Sequence, residues 1–198
     1  MNKLIVASNN KNKIKEIKAI LKPFTIEVLS LADVNIDIDV EETGATFKEN
    51  AYLKAKEIYD LIKTPVLSDD SGLEVVALNN EPGIYSARYA GAQKNDEANI
   101  DKLLLNIKDK TNRQARFVCA MALIIDDEHE YIVERYLDGE IVAERRGTNG
   151  FGYDPIFFVK ELNMTLAQVE SEQKNLISHR SKALREIYKI VEEFYHAN

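Results

Sequence analysis

The sequence predicts an α/β fold with helices and strands built around one main β-sheet, and three observations support this prediction. Apolar strand-like runs alternate with segments of helical periodicity through the first part of the chain. Residues 116–142 contain three strand-like segments separated by turns, which is typical of an antiparallel meander that continues the same sheet. No internal repeat or low-complexity linker is found, so we expect a single domain spanning residues 1–198.

Composition narrows the class of protein. The hydrophobic fraction of 45% and the charged fraction of 30% are ordinary for a globular chain, and the net charge of −7 disfavours a nucleic-acid binder. No apolar run approaches the roughly 20 residues that span a bilayer, and no signal-peptide pattern follows Met1, so we expect a cytoplasmic protein without a membrane partner. The single cysteine, Cys119, excludes an internal disulfide and is predicted to be a buried core residue.

The elements follow in chain order from apolar periodicity and turn residues. Strands are expected at residues 3–7, 25–29, 64–67, 74–78, 116–125, 131–136, 140–142 and 156–159. Helices are expected at residues 14–21, 47–62 and 96–107 and from residue 179 onward. Thr46 and Glu49 have the spacing of a capping box, which defines the start of the second helix. Asp138 and Gly139 are predicted to form the last turn of the meander.

Residues 68–72, Ser-Asp-Asp-Ser-Gly, are predicted to form a sharp polar turn between two strands. Adjacent carboxylates at the end of a buried strand are costly to hold together unless a cation lies between them. A divalent metal would supply that cation; the alternative is a solvated turn in which Asp caps its own backbone. Glu41 and Glu42, just before the second helix, are either helix-dipole partners or further ligands of a metal shared with Asp70.

A polar segment joins the first strand to the first helix and consists of Ser8, Asn9, Asn10, Lys11, Asn12 and Lys13. Backbone N–H groups and the helix dipole make a helix N-terminus suited to anions, and lysine is unfavourable there unless an anion is bound. Serine and asparagine are also ordinary helix caps, and lysines also form solvated faces. By the same argument His179 and Arg180, in the first turn of the last helix, are expected to face a phosphate or a carbonyl.

Residues 147–155 are the most glycine-dense part of the chain and include Phe151 and Tyr153. Glycine lets a backbone approach a ligand closely, and flat aromatic faces can stack on a nucleotide base. The alternative is an ordinary glycine-rich loop whose aromatic side chains pack in the core.

Six segments, in order, resemble the inosine triphosphate pyrophosphatase family over nearly the whole chain. They are SNNKNK at 8–13, EETGATF at 41–47, SDDSGL at 68–73, PGIYSARYAG at 82–91, GFGYDPIF at 150–157 and SHR at 178–180. Enzymes of this family hydrolyse ITP, dITP and XTP to the monophosphate and pyrophosphate. The resemblance implies an elongated, two-lobed fold around a long mixed sheet, with the substrate cleft between the lobes, and a homodimer. Ser8-Asn9 departs from the commoner Thr-Gly, and the missing glycine bears on the tightness of that phosphate turn.

The resemblance also implies roles for individual residues. Asp70 would be the general base and a metal ligand, with Glu41 and Glu42 completing a Mg²⁺ site. The triphosphate would be held by Ser8, Asn10, Lys13 and Ser71, with Asn9, Lys11 and Asn12 beside them and Lys54 as a further candidate. The base and sugar would be enclosed by Phe151, Gly152, Tyr153, Asp154, Lys174, His179 and Arg180. Donors aimed at the six-position oxygen of hypoxanthine or xanthine would stay unpaired with ATP, which accounts for its rejection.

Two other functions remain open at this point. A metal-dependent phosphatase could use Asp69 as a nucleophile, although its usual pattern of two aspartates separated by one residue is absent. A non-catalytic nucleotide-binding module is the second alternative, and it has no need of Asp70.

Overall fold

The computed structural model describes residues 3–23 and 26–197, with side chains up to residue 194, and it confirms the α/β class. The strands are β1 Lys3–Val6, β2 Glu27–Ser30, β3 Val66–Val75, β4 Gln114–Ile124, β5 Glu130–Ile141, β6 Phe157–Val159 and β7 Met164–Thr165. The helices are α1 Lys11–Leu21, α2 Phe47–Ile62, α3 Asp96–Ile107, α4 Ser171–Ile177 and α5 His179–Ala197. Sequence periodicity missed α4 and β7, and Thr25, at the start of the predicted second strand, lies outside the described residues.

The seven strands form one mixed sheet in the order β2-β1-β3-β4-β5-β6-β7. β1 is parallel to both of its neighbours, with Ile5 opposite Leu29 on β2 and opposite Val66 on β3. At the other end β6 is antiparallel to both β5 and β7. The mixed sheet that the family resemblance implied is therefore confirmed. No helix in the described ranges is long and apolar enough to cross a bilayer.

The chain divides into two compact units, each with its own hydrophobic core. Unit 1 comprises Met1–Asp70, Cys119–Arg135 and Arg180–Asn198, and unit 2 comprises Ser71–Val118 and Tyr136–His179. The core of unit 1 includes Ile17, Leu67, Met121 and Leu184, and that of unit 2 includes Leu103, Phe117, Phe157 and Leu166. The single domain and the cleft between two lobes stay predictions.

Local sequence accounts for the starts of α1 and α2. The Asn10 side chain caps α1 by accepting hydrogen bonds from the Asn12 and Lys13 N–H groups at 3.0 and 3.2 Å. The predicted capping box of α2 is confirmed, since Thr46 and Glu49 each accept the other's backbone N–H at 3.2 Å. These bonds satisfy N–H groups that have no partner within the helix, so each cap fixes where its helix begins.

The polar turn predicted at residues 68–72 is wrong, because these residues lie within the continuous strand β3. Alternate residues of a strand point to opposite faces of the sheet. The Ser68 hydroxyl donates to the Ala51 carbonyl of α2, whereas Leu67 packs in the unit 1 core with residues of α1 and α5. Helices therefore cover both faces of β3, and their side chains satisfy polar groups that would otherwise need a solvated turn.

The turn predicted at Asp138 and Gly139 is also wrong, since both residues lie within β5. β5 pairs with β6 through Glu140 opposite Phe158 and Ile141 opposite Phe157. A Cβ atom at Gly139 would lie 2.6 Å from the Phe157 ring and from the Phe158 carbonyl oxygen. The glycine is required by this close approach of β6, and the three predicted meander segments reduce to two long strands.

Cys119 is fully buried in unit 1, as predicted. Burial, with a smaller effect of the Asp69 carboxylate, raises the pKa of the Cys119 thiol to about 12. Since the thiolate is the reactive form, iodoacetamide at about pH 8 should modify the native protein no faster than the protein unfolds. Mass spectrometry of samples with and without denaturant measures this, and rapid modification of the native protein would contradict the buried placement.

Candidate active site

Asp69 is the centre of a buried ion cluster in unit 1. Its fully buried Oδ2 lies 3.0 Å from Lys13 Nζ and 3.4 Å from Arg180 Nη2. Arg180 also pairs with Glu16 of α1. Burial alone would raise the pKa of Asp69, but the charges of Lys13 and Arg180 outweigh burial and hold this pKa well below its usual value. Asp69 is therefore an ionised carboxylate held by two cations.

Asp70 points to the other face of β3 and has different surroundings. Its Oδ2 accepts a hydrogen bond from Asn50 Nδ2 at 3.1 Å, and its Oδ1 lies 4.0 Å from Lys54 Nζ. Burial raises the pKa of Asp70 above its usual value, and the positive charges of Lys54 and Lys13 only partly oppose this. A carboxylate with a raised pKa is a better proton acceptor, which is a property that a general base needs; the role of Asp70 as the base stays a prediction.

Lys54 links Asp69 and Asp70 to the segment that precedes α2 and carries Glu41 and Glu42, here called the acidic segment. Its Nζ donates to Glu42 Oε1 at 2.6 Å and to the Asp69 carbonyl oxygen at 2.8 Å. Burial alone would lower the pKa of Lys54, but the carboxylates of Asp70 and Glu42 raise it, so this lysine stays protonated. The sequence made a solvated face the default for Lys54, and that default is wrong, because its side chain is only 13% exposed.

The three predicted metal ligands differ in how deeply their side chains are buried. Asp70 is buried, Glu42 is half-buried on Lys54, and Glu41 is exposed. Among the residues that the structure describes, no three Asp, Glu, His or Cys side chains form a group that could hold a metal ion. Mg²⁺ commonly takes only one or two carboxylates and completes its shell with water and substrate phosphates, so an oxygen-only set of this kind suits it. Metal binding by Asp70, Glu41 and Glu42 stays a prediction.

The segment before α1 has mainly local contacts. Ser8 Oγ accepts the Asn10 N–H at 3.2 Å, Asn10 caps α1, and Asn9 Nδ2 donates to the Ile38 carbonyl at 3.1 Å. Lys11 and Asn12 are exposed, whereas the Lys13 side chain is largely buried against Asp69. The alternative that these residues are ordinary helix caps therefore holds for Asn10. Lys13 instead contributes its positive charge to the buried ion cluster around Asp69.

In unit 2, Asp154 organises the glycine-rich segment. Its Oδ2 accepts the Phe151 N–H at 3.0 Å and binds Lys174 Nζ at 2.6 Å. Lys174 Nζ lies 5.0 Å from the centroid of the Phe151 ring. Gly150 has a φ of +76°, and a Cβ there would lie 2.0 Å from Asp154 Oδ2, so this position requires glycine. A buried ion pair and a half-exposed aromatic face are thus held together.

The neighbouring predicted residues are fixed from elsewhere in unit 2. Tyr153 is buried and its hydroxyl donates to the Ser86 carbonyl at 2.8 Å, so it packs in the core as the alternative interpretation held. The Gly152 N–H donates to Asp96 Oδ2 at 2.8 Å. Asp96 was not predicted as a site residue, although its place in the first turn of α3 could have drawn attention to it.

His179 and Ser71 complete the predicted residues of unit 2. The buried His179 ring stacks on Phe117, with ring centroids 4.9 Å apart and an angle of 11° between the planes. Ser71, the residue after Asp70 in β3, is half-buried. The predicted substrate-binding residues thus form an ionic set in unit 1 and an aromatic and polar set in unit 2.

The predicted site residues do not lie in the cleft that the structure shows in unit 2. A cleft of about 500 Å³ in unit 2 is lined by charged side chains that include Glu74, Arg116, Glu140 and Lys160. None of the predicted site residues lines this cleft. The candidate site is therefore defined by its buried ionic contacts.

The fold and these contacts define a mixed α/β protein with a buried cluster of carboxylates and lysines. The chain belongs to the Ham1 family, whose family model matches residues 4–190. Family membership confirms the resemblance inferred from the six sequence segments.

The chain is similar over nearly its whole length to two dITP/XTP pyrophosphatases. It is 48% identical to a dITP/XTP pyrophosphatase of Staphylococcus epidermidis, over 99% of this chain and 100% of that relative. It is 47% identical to a dITP/XTP pyrophosphatase of Bacillus subtilis, over 97% of this chain and 98% of that relative.

Two solved structures share the fold. The Ham1 protein of Staphylococcus aureus has a TM-score of 0.88 at 46% identity and is matched over 97% of this chain and 99% of its own. A HAM1 protein of Coxiella burnetii has a TM-score of 0.89 at 38% identity and is matched over 98% of this chain and 100% of its own.

We expect the buried Asp69 to matter far more for stability than the exposed Asp60, although each of these aspartates contacts two cations. Asp69→Asn would leave Lys13 and Arg180 without their shared buried carboxylate and should destabilise the protein by about 3–5 kcal/mol. Asp60→Asn is the matched control, because Asp60 is 49% exposed and binds Lys56 and Lys63, both at 3.1 Å. It should cost at most about 1 kcal/mol. Urea unfolding of the two variants measures both values, and equal losses would contradict the buried cluster.

Proposed function

We propose that this protein hydrolyses the non-standard purine nucleoside triphosphates ITP, dITP and XTP to the nucleoside monophosphate and pyrophosphate. The observation that carries the proposal is the buried cluster in which Asp70, with its raised pKa, lies beside Lys54 and the Asp69–Lys13 pair. The relatives named dITP/XTP pyrophosphatase, 47–48% identical over nearly the whole chain, support the same substrate class.

The triphosphate is assigned to the ionic set of unit 1. The side chains of Lys13 and Lys54 are 15% and 13% exposed, and both are held in place by carboxylates. A cation that is already fixed before substrate binds loses little freedom when it neutralises phosphate charge in the transition state. Arg180 keeps Asp69 ionised and thereby holds Lys13 in position.

Asp70 is assigned as the base that accepts a proton from the attacking water as the bond between the α- and β-phosphates is cleaved. A positioned general base contributes on the order of 10²–10⁴-fold to such a reaction. Asp70 and Glu41 would also hold Mg²⁺, whereas Glu42 acts through Lys54. When bound, Mg²⁺ would neutralise the phosphates and make water easier to deprotonate.

The base and ribose are assigned to unit 2. Phe151 offers a half-exposed ring, and the Asp154–Lys174 pair fixes that ring and supplies polar atoms beside it. Backbone donors such as the His179 N–H would pair with the six-position oxygen of hypoxanthine. With ATP each such donor would stay unpaired, at a cost of about 1–3 kcal/mol. A homodimer and a cytoplasmic location stay predictions.

One product analysis tests the activity. With Mg²⁺, ITP, dITP or XTP should yield pyrophosphate and the monophosphate in equal amounts, ATP should react far more slowly, and a chelator should stop the reaction. Orthophosphate with IDP would instead indicate the phosphatase, and the absence of any product would indicate the binding module. Ion-exchange chromatography of the nucleotides with separate assays of the two phosphate products measures all of these outcomes.

Asp70→Asn tests the role of the base. The amide keeps the shape of the side chain but accepts no proton, so kcat for ITP should fall by about 10²-fold or more. Asp60→Asn serves as the control with unchanged kcat, since Asp60 is an exposed residue that pairs with lysines. Near-full turnover of Asp70→Asn would remove Asp70 from this role.

A further inference from the structure

Asn50 is a fully buried residue in the first turn of α2, and its side-chain amide makes two hydrogen bonds in opposite directions. Nδ2 donates to Asp70 Oδ2 at 3.1 Å, and Oδ1 accepts the Gly44 N–H at 2.8 Å. Gly44 follows closely on Glu41 and Glu42 in the chain. One amide therefore connects the candidate base to the acidic segment.

We propose that Asn50 is a positioning residue for the hydrolysis: it orients the Asp70 carboxylate and ties that carboxylate to the segment that carries Glu41 and Glu42. This inference rests on the proposed function and adds to it a residue that does not itself touch the substrate.

The chemistry of the two partners explains why an asparagine occupies this position. The Gly44 N–H can only donate, and an ionised Asp70 can only accept, so the orientation of the amide is determined. Aspartate would lack the donor, and an apolar residue would lack both groups. Because a buried polar group without a partner is unfavourable, the amide holds both neighbours in one arrangement.

Gly44 leaves room for this contact because glycine has no Cβ atom. A Cβ atom at Gly44 would lie 2.7 Å from Asn50 Oδ1 and 2.7 Å from Glu49 Cβ. Glu49 Oε2 in turn accepts the Ala45 and Thr46 N–H groups at 2.6 and 3.2 Å. Consecutive side chains of α2 thus hold three consecutive backbone N–H groups of the acidic segment.

The next turn of α2 repeats the connection. Lys54 is four residues after Asn50 and so lies on the same helix face. It binds Glu42 and the Asp69 carbonyl oxygen. Both residues therefore link β3 to the segment before α2, one by a neutral amide and the other by a charge.

Asn50→Asp is the sharpest test, because it keeps the shape of the side chain and the acceptor for Gly44 but replaces the donor to Asp70 with a carboxylate oxygen. We expect kcat for ITP to fall by about 10- to 100-fold while KM changes by less than about threefold, since a misplaced reacting group affects mainly the chemical step.

Asn99→Asp is the matched control. Asn99 is also buried and makes the same two kinds of bond, accepting the Ala90 N–H at 2.7 Å and donating to the Ala87 carbonyl at 3.1 Å. It lies in α3 of unit 2, outside the site described above. This variant should lower the thermal midpoint as Asn50→Asp does but leave kcat within about twofold of the wild-type value.

The outcomes separate the positioning role from the proposed function. A wild-type protein that releases no pyrophosphate would reject both. An active wild type whose kcat is retained in Asn50→Asp, or falls equally in Asn99→Asp, would reject only the positioning role. If Asn50→Asp does not fold, Gly44→Ala replaces it, because the added methyl displaces the Asn50 amide. A loss of kcat at similar KM then supports the role, and an unchanged kcat overturns it.

Discussion

The structure of the candidate site depends on the neutralisation of two adjacent buried carboxylates within one strand. Asp69 and Asp70 point to opposite faces of β3, so each has its own set of partners. Asp69 is bound by cations from α1 and α5, and Asp70 by the amide and the lysine of α2. The strand therefore carries one strongly ionised carboxylate and one whose pKa is raised by burial, side by side. Environment alone gives the two identical side chains different chemistry.

Helix α2 organises the second of these environments. Its capping box fixes the backbone that enters the helix, and Asn50 and Lys54 extend that arrangement to Asp70. The same helix face thus contributes to the start of the helix, to the placement of the acidic segment and to the charge around the candidate base. Ala51, Ala55 and Ile58 are buried apolar residues of the same helix.

Sequence patterns predicted the elements whose causes are local. The bounds of α3 and the capping box of α2 depend on residues within about one turn of the helix start, and both are confirmed. Turns were wrongly predicted where residues typical of turns contact distant parts of the chain instead of solvent. Residues 68–72 continue as a strand because helices on both faces supply partners, and Gly139 continues one because Phe157 packs against it. Lys54 was assigned to solvent for the same reason, since its partners Asp69 and Asp70 lie in another element.

The sequence by itself determined the α/β class, most helices and strands, and, through six segments in order, the family; it also pointed to several residues of the candidate site, but not to Asn50 or Asp96. Only the tertiary structure decided which partner each of these residues has. Arg180 pairs with Asp69 across 111 residues of chain and with Glu16 across 164. Capping and periodicity act between neighbours in sequence, whereas ion pairing and burial depend on distances in space, which periodicity does not encode.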